Sequence, residues 1–505
     1  VSAPVSVGSP LAGGAAGAGA LGELVRVALA ALECGASARG GPLPVGGPQR
    51  VAAEVARVLG TAGAVPAARG AGASGGPGAL PALGVGESAA LHELSVLLAW
   101  GAADPADPRC AGHLHCPPLA VAVAADLVAS ALNGSLDSWD QAPAATVLEV
   151  EVVAALAALA GFPAAAGGTV TSGGTESNLM GLLLARDALG PGVGRRRILC
   201  SQAAHFSVRR CAGLLGLGED AVVTVPAGAD HRMDPLALAA ACRRVLAGND
   251  RVTAIVATAG TTDLGAVEPL PEIAAVAAEF DTWLHVDAAY GGGALFSDRL
   301  APLLAGLDRA HSVGLDLHKL GWQPIAAGVF LVRDAALLAP LAQRAAYLNP
   351  DDDEQAGYFS LLGRSPRTTR RADVFKIAVT LRALGRSGLG ALVDRCHDLA
   401  RHAAGVIHAH PRLELVADPV LTSVVFRYLP PCSVGPVESD RINGALRRRL
   451  LAQGRAVVGR TEIGAGPGSV RLKLTLLNPH ASVEDVDALL DLVVDAGRAE
   501  SPPAI

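Results

Sequence analysis

Lys319 is one of three lysines in a chain of 505 residues, the others being Lys376 and Lys473, while lysine and arginine together number 41. It stands in Asp316-Leu317-His318-Lys319, downstream of His285-Val286-Asp287-Ala288-Ala289-Tyr290. A primary amine can shed its proton and condense with a carbonyl, and a guanidinium cannot. A composition that has drifted toward arginine therefore keeps lysine where that chemistry is needed. Apolar neighbours, Val313, Leu315, Leu317, Leu320 and Trp322, surround Lys319 in sequence and favour an uncharged amine. Asp287 closes an otherwise apolar run, so its carboxylate needs a cationic partner, either a protonated ring nitrogen or an arginine.

Two further segments belong with this pair. Gly173-Gly174-Thr175-Glu176-Ser177 falls between an expected strand and an expected helix, where backbone N–H groups and hydroxyls converge at the positive end of the helix dipole. Alone it is equally a tight turn. His205, in Ala204-His205-Phe206-Ser207-Val208, follows another expected strand, and an imidazole there can stack on a flat ring. Amine, acid, anion cradle and stacking face together meet the requirements of pyridoxal phosphate. Lys319 is then the Schiff-base lysine and Asp287 the carboxylate opposite the pyridine nitrogen.

The elements that must position these residues alternate. Expected strands cover 168–171, 197–201, 221–225, 253–259 and 283–287, with helices at 176–189, 206–215, 235–247 and 270–280 between them. That alternation predicts an α/β protein with a mainly parallel sheet, whose ligands sit at the C-terminal ends of the strands. Thr262, in Gly260-Thr261-Thr262, follows such a strand. Upstream, residues 1 to 83 are rich in Ala, Gly and Pro, with short helices at 21–32 and 49–59 and flexible sequence elsewhere. Downstream, a helix at 372–384 leads to strands at 413–416, 423–428 and 470–476 and helices at 440–453 and 483–496. The expected division is an N-terminal helical, dimerising segment (1–115), a large cofactor-binding domain (116–377) and a small C-terminal α+β domain (378–505).

Composition narrows the function. A net charge of −6 without a long basic block argues against nucleic acid. Much of the hydrophobic fraction of 51% is alanine, aromatics stand at 3%, and Gly161 and Pro163 interrupt a long apolar run, which argues against a membrane span. Val1-Ser2-Ala3-Pro4 lacks the basic and apolar regions of an export signal, so a soluble, cytoplasmic protein is expected. Eight cysteines without a Cys-x-x-Cys pair suggest reduced thiols and no metal site.

In family order the chain carries Ser135-Leu136-Asp137-Ser138-Trp139-Asp140-Gln141, Thr171 to Asn178, Ala204 to Val208, His285 to Tyr290, His318-Lys319 and Leu477-Asn478-Pro479. With these it resembles the group II pyridoxal phosphate-dependent amino acid decarboxylases, over about residues 109 to 496. The resemblance is strongest to the diaminobutyrate and lysine-type members and extends to the aromatic amino acid and glutamate decarboxylases. It implies the pyridoxal phosphate-dependent transferase fold (aspartate aminotransferase-like, fold type I) and a homodimer with shared active sites.

The resemblance also implies roles. Lys319 carries the cofactor, Asp287 pairs with its pyridine nitrogen, His205 stacks over the ring and Ala289 packs beneath it. Thr262 lies beside the ring, while Gly174, Thr175, His318 and Asp316 surround the phosphate. Family members often carry Asn at the position of Asp316, and a carboxylate there sits badly with a phosphate unless protonated or turned away. Arg471 holds the substrate carboxylate. A loop tyrosine, Tyr358 or its rival Tyr347, protonates the substrate α-carbon after carbon dioxide leaves. Asp137 and Trp139 reach the substrate side chain in the partner's site, which suits a diamino acid such as 2,4-diaminobutyrate or lysine; a structural cap at Asp137 is the other reading. Transamination, decarboxylation coupled to oxidation, and a non-catalytic dimeric scaffold are the alternatives on the same fold.

Overall fold

The computed structural model describes residues 10–61 and 79–502. The chain forms two compact units: residues 114–404 with 417–424, and residues up to 113 with 405–416 and those from 425 onward. In the first, seven strands form one sheet: β1 Gly167–Thr171, β2 Arg196–Ser201, β3 Val222–Val225, β4 Arg251–Thr258, β5 Trp283–Ala288, β6 Ser312–Asp316 and β7 Gly328–Val332. Their order is β1-β7-β6-β5-β4-β2-β3. Strands β3, β2, β4, β5 and β6 pair in parallel, and β7 runs antiparallel to both β6 and β1. The C-terminal ends of β1, β2, β4, β5 and β6 therefore share one edge.

The central strands are buried along their length, β5 completely, as expected where helices cover both faces of a parallel sheet. Helices Gly174–Ala188, Ser207–Leu214, Pro235–Ala247 and Leu270–Glu279 are the crossovers. Pro235–Ala247 starts where the sequence signals it: proline opens the helix, and the Asp234 carboxylate accepts from Leu236 N at 2.8 Å. Gly181 sets how closely Gly174–Ala188 lies on β5. A Cβ there would fall 2.5 Å from His285 Nδ1, so only glycine admits this approach.

In the second unit, β8 Leu413–Leu415, β9 Ser423–Tyr428, β10 Gly459–Glu462 and β11 Val470–Thr475 form a sheet of order β10-β11-β9-β8. Helix Val483–Glu500 begins with a capping box of Ser482 and Asp485. The N-terminal segment departs from expectation. Gly14–Arg39 is a 26-residue helix, far longer than the sequence reading, because alanine is the strongest helix former and the run needs no other signal. Its last residue, Arg39, reaches Asp104 Oδ2 at 2.5 Å and Ala99 O at 2.6 Å. Part of the flexible stretch expected at 1 to 83 lies outside the described residues. The helix expected at 372–384 is Val374–Ala409; the expected end coincides with a kink at Gly385, φ 64°, after which the helix resumes. Strand β6 is the return strand for which the 32 residues between Asp287 and Lys319 leave room, and the polar β10 was not foreseen. Among the described residues no helix is long and apolar enough to cross a membrane.

Candidate active site

At the shared edge of the sheet a cavity of about 260 Å³ opens. It is lined by Gly173, Gly174 and Thr175 beyond β1, His205 beyond β2, Thr258, Gly260 and Thr262 at the end of β4, Asp287, Ala289 and Tyr290 of β5 and its exit, and Asp316, His318 and Lys319 from β6 onward. Five strand ends supply one site, so residues far apart in sequence meet because the strands run parallel.

Lys319 Nζ lies 2.9 Å from Asp316 Oδ2, and His318 Nε2 lies 3.4 Å from the same oxygen. The apolar flanks expected from the sequence are thus joined by a carboxylate, three residues back on the turn that leaves β6. His318 Nδ1 accepts from Ala327 N at 3.3 Å, which places its proton on Nε2, toward Asp316. Burial holds His318 below its ordinary value. The second oxygen, Asp316 Oδ1, is buried without a hydrogen-bond partner among the described residues.

Helix Gly174–Ala188 starts at the cavity with no side chain capping it. Gly173 supplies the turn with φ 149°, and a Cβ on Gly174 would come within 2.7 Å of the Ala289 Cβ. The first-turn Glu176 is engaged elsewhere, by Ser172 N at 2.7 Å and Arg367 Nε at 2.7 Å. An anion at this N-terminus would meet unsatisfied N–H groups and a helix dipole.

Asp287 is buried, and its partner is not an arginine. Oδ1 accepts from Ala289 N at 3.1 Å and Oδ2 from Asn178 Nδ2 at 2.8 Å. The Asn178 amide also donates to Ser207 Oγ at 2.9 Å, and its oxygen faces His285 Nε2 at 2.9 Å. Its orientation is fixed, since the reverse would set an oxygen against the Asp287 carboxylate. Ser207 Oγ lies 2.8 Å from His205 Nδ1, and His285 Nδ1 lies 2.9 Å from Ser312 Oγ, which accepts from Trp283 Nε1. Burial lowers His205 and brings His285 down to about 4, so both are neutral near pH 7. Sequence reasoning missed Asn178, Ser207 and His285 as site residues; a polar Asn beside Leu179 and Met180 on a buried helix was the available signal.

Other expected residues are not among those that line this cavity. Trp139 meets Tyr358 edge-on, with ring centroids 6.3 Å apart, and Phe359 at 5.3 Å. Tyr358 and Tyr347 are exposed, at 54% and 84%. Asp137 is buried and accepts from Gln141 Nε2 at 2.9 Å, as a structural acceptor does. Arg471 stands on β11 of the second unit and donates to Gly468 O and Val470 O at 2.7 and 3.0 Å. Among the described residues no cluster could hold a metal ion.

The residues present fit pyridoxal phosphate: an uncapped helix start for an anion, a buried acid aimed into the cavity without a cationic partner, and a lysine at the cavity wall. Sheet and site together define an α/β enzyme class that holds this cofactor through lysine. Residues 87–429 match the model of the pyridoxal-dependent decarboxylase conserved domain. The chain is 46% identical over 421 residues to an L-2,4-diaminobutyrate decarboxylase of Rhizobium meliloti, covering 83% of this chain and 84% of that one. A second L-2,4-diaminobutyrate decarboxylase, from Acinetobacter baumannii, is 37% identical over 77% and 79% of the two chains. A crystal structure from Vibrio parahaemolyticus, the glutamate decarboxylase domain of diaminobutyrate-pyruvate transaminase and L-2,4-diaminobutyrate decarboxylase, superposes with a TM-score of 0.80 at 32% identity, covering 97% of each chain. The chain belongs to the pyridoxal-dependent decarboxylase family and is a pyridoxal phosphate-dependent amino acid decarboxylase.

Proposed function

We propose that the enzyme converts L-2,4-diaminobutyrate to its diamine and carbon dioxide, acting as a homodimer. The observation that carries the substrate is the 46% identity, across most of both chains, to a relative of that activity. Bound pyridoxal phosphate supplies an electron-withdrawing ring for the electron pair left when carbon dioxide departs.

The side chains have separable tasks. Lys319 Nζ is the amine that carries the cofactor, and Asp316 Oδ2, 2.9 Å away, is placed to take its proton. The start of helix Gly174–Ala188, with Gly174 and Thr175, and the imidazole of His318 would hold the phosphate. Asp316 serves the lysine rather than the phosphate. Asp287 would hold the proton on the ring nitrogen, and His205, Ala289 and Thr262 would contact the ring. Arg471 binds the substrate carboxylate.

Tyr358 donates the proton to the substrate α-carbon, and it does so in the partner's cavity. The support is its exposure and its absence from the lining of its own chain's cavity, with Trp139 packed edge-on against it. Asp137 in that position suits a cationic side chain. Eight free thiols suit a cytoplasmic location.

The test is carbon dioxide and amine release from purified protein with added cofactor, across L-2,4-diaminobutyrate, lysine, glutamate and tyrosine. The expected outcome is a kcat/KM for diaminobutyrate higher than for the others by on the order of 100-fold. Glutamate or tyrosine as the best substrate, or a keto product without carbon dioxide, contradicts the proposal.

A further inference from the structure

The buried amide of Asn178 touches groups that serve opposite sides of the cavity. One N–H donates to Asp287 Oδ2 at 2.8 Å and the other to Ser207 Oγ at 2.9 Å. Because Ser207 Oγ accepts from Asn178, its own hydrogen is directed to His205 Nδ1, 2.8 Å away, and Ser207 N points at the same nitrogen at 3.3 Å. His205 Nδ1 is thus an acceptor, and the imidazole proton resides on Nε2. Behind the amide, His285 Nε2 donates to Asn178 Oδ1 at 2.9 Å, while Ser312 and Trp283 close the chain. Every polar atom of the Asn178 side chain is engaged and the residue is 1% exposed, so the amide has no alternative position.

We propose that Asn178 is a positioning residue that couples the ring-nitrogen acid to the ring-stacking imidazole: one amide sets the direction of the Asp287 carboxylate and, through Ser207, the tautomer of His205. Without it, Asp287 keeps only the Ala289 N bond and can rotate, and Ser207 is free to turn its hydrogen away from His205. The inference rests on Asp287 and His205 facing the cofactor, as proposed above.

Asn178→Asp preserves shape but replaces the donor with an oxygen facing Asp287; Ser207→Ala cuts only the His205 arm; Asp287→Asn tests the underlying reading. For each, the measurements are the thermal midpoint, the pyridoxal phosphate dissociation constant by titration of the apoenzyme, the visible spectrum of the holoenzyme, and kcat and KM per bound cofactor. For Asn178→Asp the expected result is a kcat per bound cofactor lower by on the order of 10- to 100-fold, a changed cofactor spectrum and weaker cofactor binding, with KM little changed and a thermal midpoint that is lowered but stays above the assay temperature. Ser207→Ala is expected to lower kcat less and to leave cofactor affinity near wild type. If Asp287→Asn is crippled but Asn178→Asp matches wild type in spectrum, affinity and kcat per cofactor, the coupling is refuted. If Asn178→Asp loses activity only in step with its folded fraction, Asn178 is structural and the proposal is equally refuted. If Asp287→Asn itself retains wild-type turnover, the reading beneath it fails instead.

Discussion

Each residue at the cavity does its work through an atom whose surroundings are specified. Gly174 is the clearest steric case, because its missing Cβ leaves the space between the helix start and Ala289. Gly174→Ala places a methyl carbon 2.7 Å from the Ala289 Cβ, under normal contact. The expected outcome is a cost of about 1–3 kcal/mol in unfolding free energy and cofactor affinity weaker by roughly tenfold, read by urea denaturation and cofactor titration. Lys319 and Asp316 form the electrostatic case. Asp316→Asn keeps a hydrogen bond to Lys319 Nζ but removes the proton acceptor, so covalent uptake of the cofactor should slow by on the order of tenfold or more, measured by stopped-flow absorbance after mixing apoenzyme with pyridoxal phosphate. An unchanged rate would leave Asp316 no part in activating the amine. Most of these residues were legible in the sequence because glycines, a terminal strand acid and a rare lysine each need a specific chemical reason. Asn178 was not. Its bond to Asp287 spans 109 residues, and the polar side chain on an apolar helix face did not say what it meets.

Strands and helices bring the site together, and the sequence announced most of them through the shift between apolar runs and helical spacing. The exceptions have physical causes. Strand β6 was expected only as a return strand without bounds, because its five buried residues read as part of the lysine's apolar setting. At Gly385, where the expected helix ends, the backbone leaves helical geometry, and what the sequence did not announce is the second helix that follows to Ala409. One element carries a pH dependence. Glu268, on the connection from β4 to helix Leu270–Glu279, accepts from Thr258 N at 2.8 Å, and burial pushes it up to about 7. Its folded value lies above its unfolded one, so its contribution to stability is complete below about pH 4.5 and is lost as pH rises toward 7. Glu268→Gln removes this titration. Relative to wild type the variant should gain roughly 2–3 kcal/mol between pH 5 and pH 8, measured by urea unfolding at both values. A difference that does not vary with pH would show that Glu268 is already ionised at pH 5.

At the scale of the whole molecule, Tyr347 and Tyr358 are exposed, and neither they nor Trp139 line the cavity that holds Lys319. In the proposed homodimer they would serve the partner's cavity. Lys319→Ala and Tyr358→Phe should each be inactive or nearly so, and after dissociation and reassociation an equal mixture should recover about a quarter of wild-type activity. Half of the reassorted dimers are mixed, and each of those has one site with both residues intact. No recovery would place Tyr358 in the same site as its own Lys319, and a fully active Tyr358→Phe variant would give the proton donor's role to Tyr347. The sequence alone indicated this arrangement only through the family resemblance, since composition and periodicity carry no record of a partner.

With three lysines in the chain, the attachment of the cofactor can be assigned without ambiguity. Lys376 is fully buried and held by Asp126 at 2.9 Å and Asp373 at 3.1 Å, Lys473 is buried on β11, and Lys319 stands at the cavity wall. Borohydride reduction of the holoenzyme fixes a lysine-bound carbonyl cofactor as a stable secondary amine, and peptide mass mapping then locates it. The expected result is one phosphopyridoxyl group per chain, on the peptide containing Lys319, with carbon dioxide release abolished in parallel. Label on Lys376 or Lys473, or full activity after reduction, would contradict the assignment of the active site.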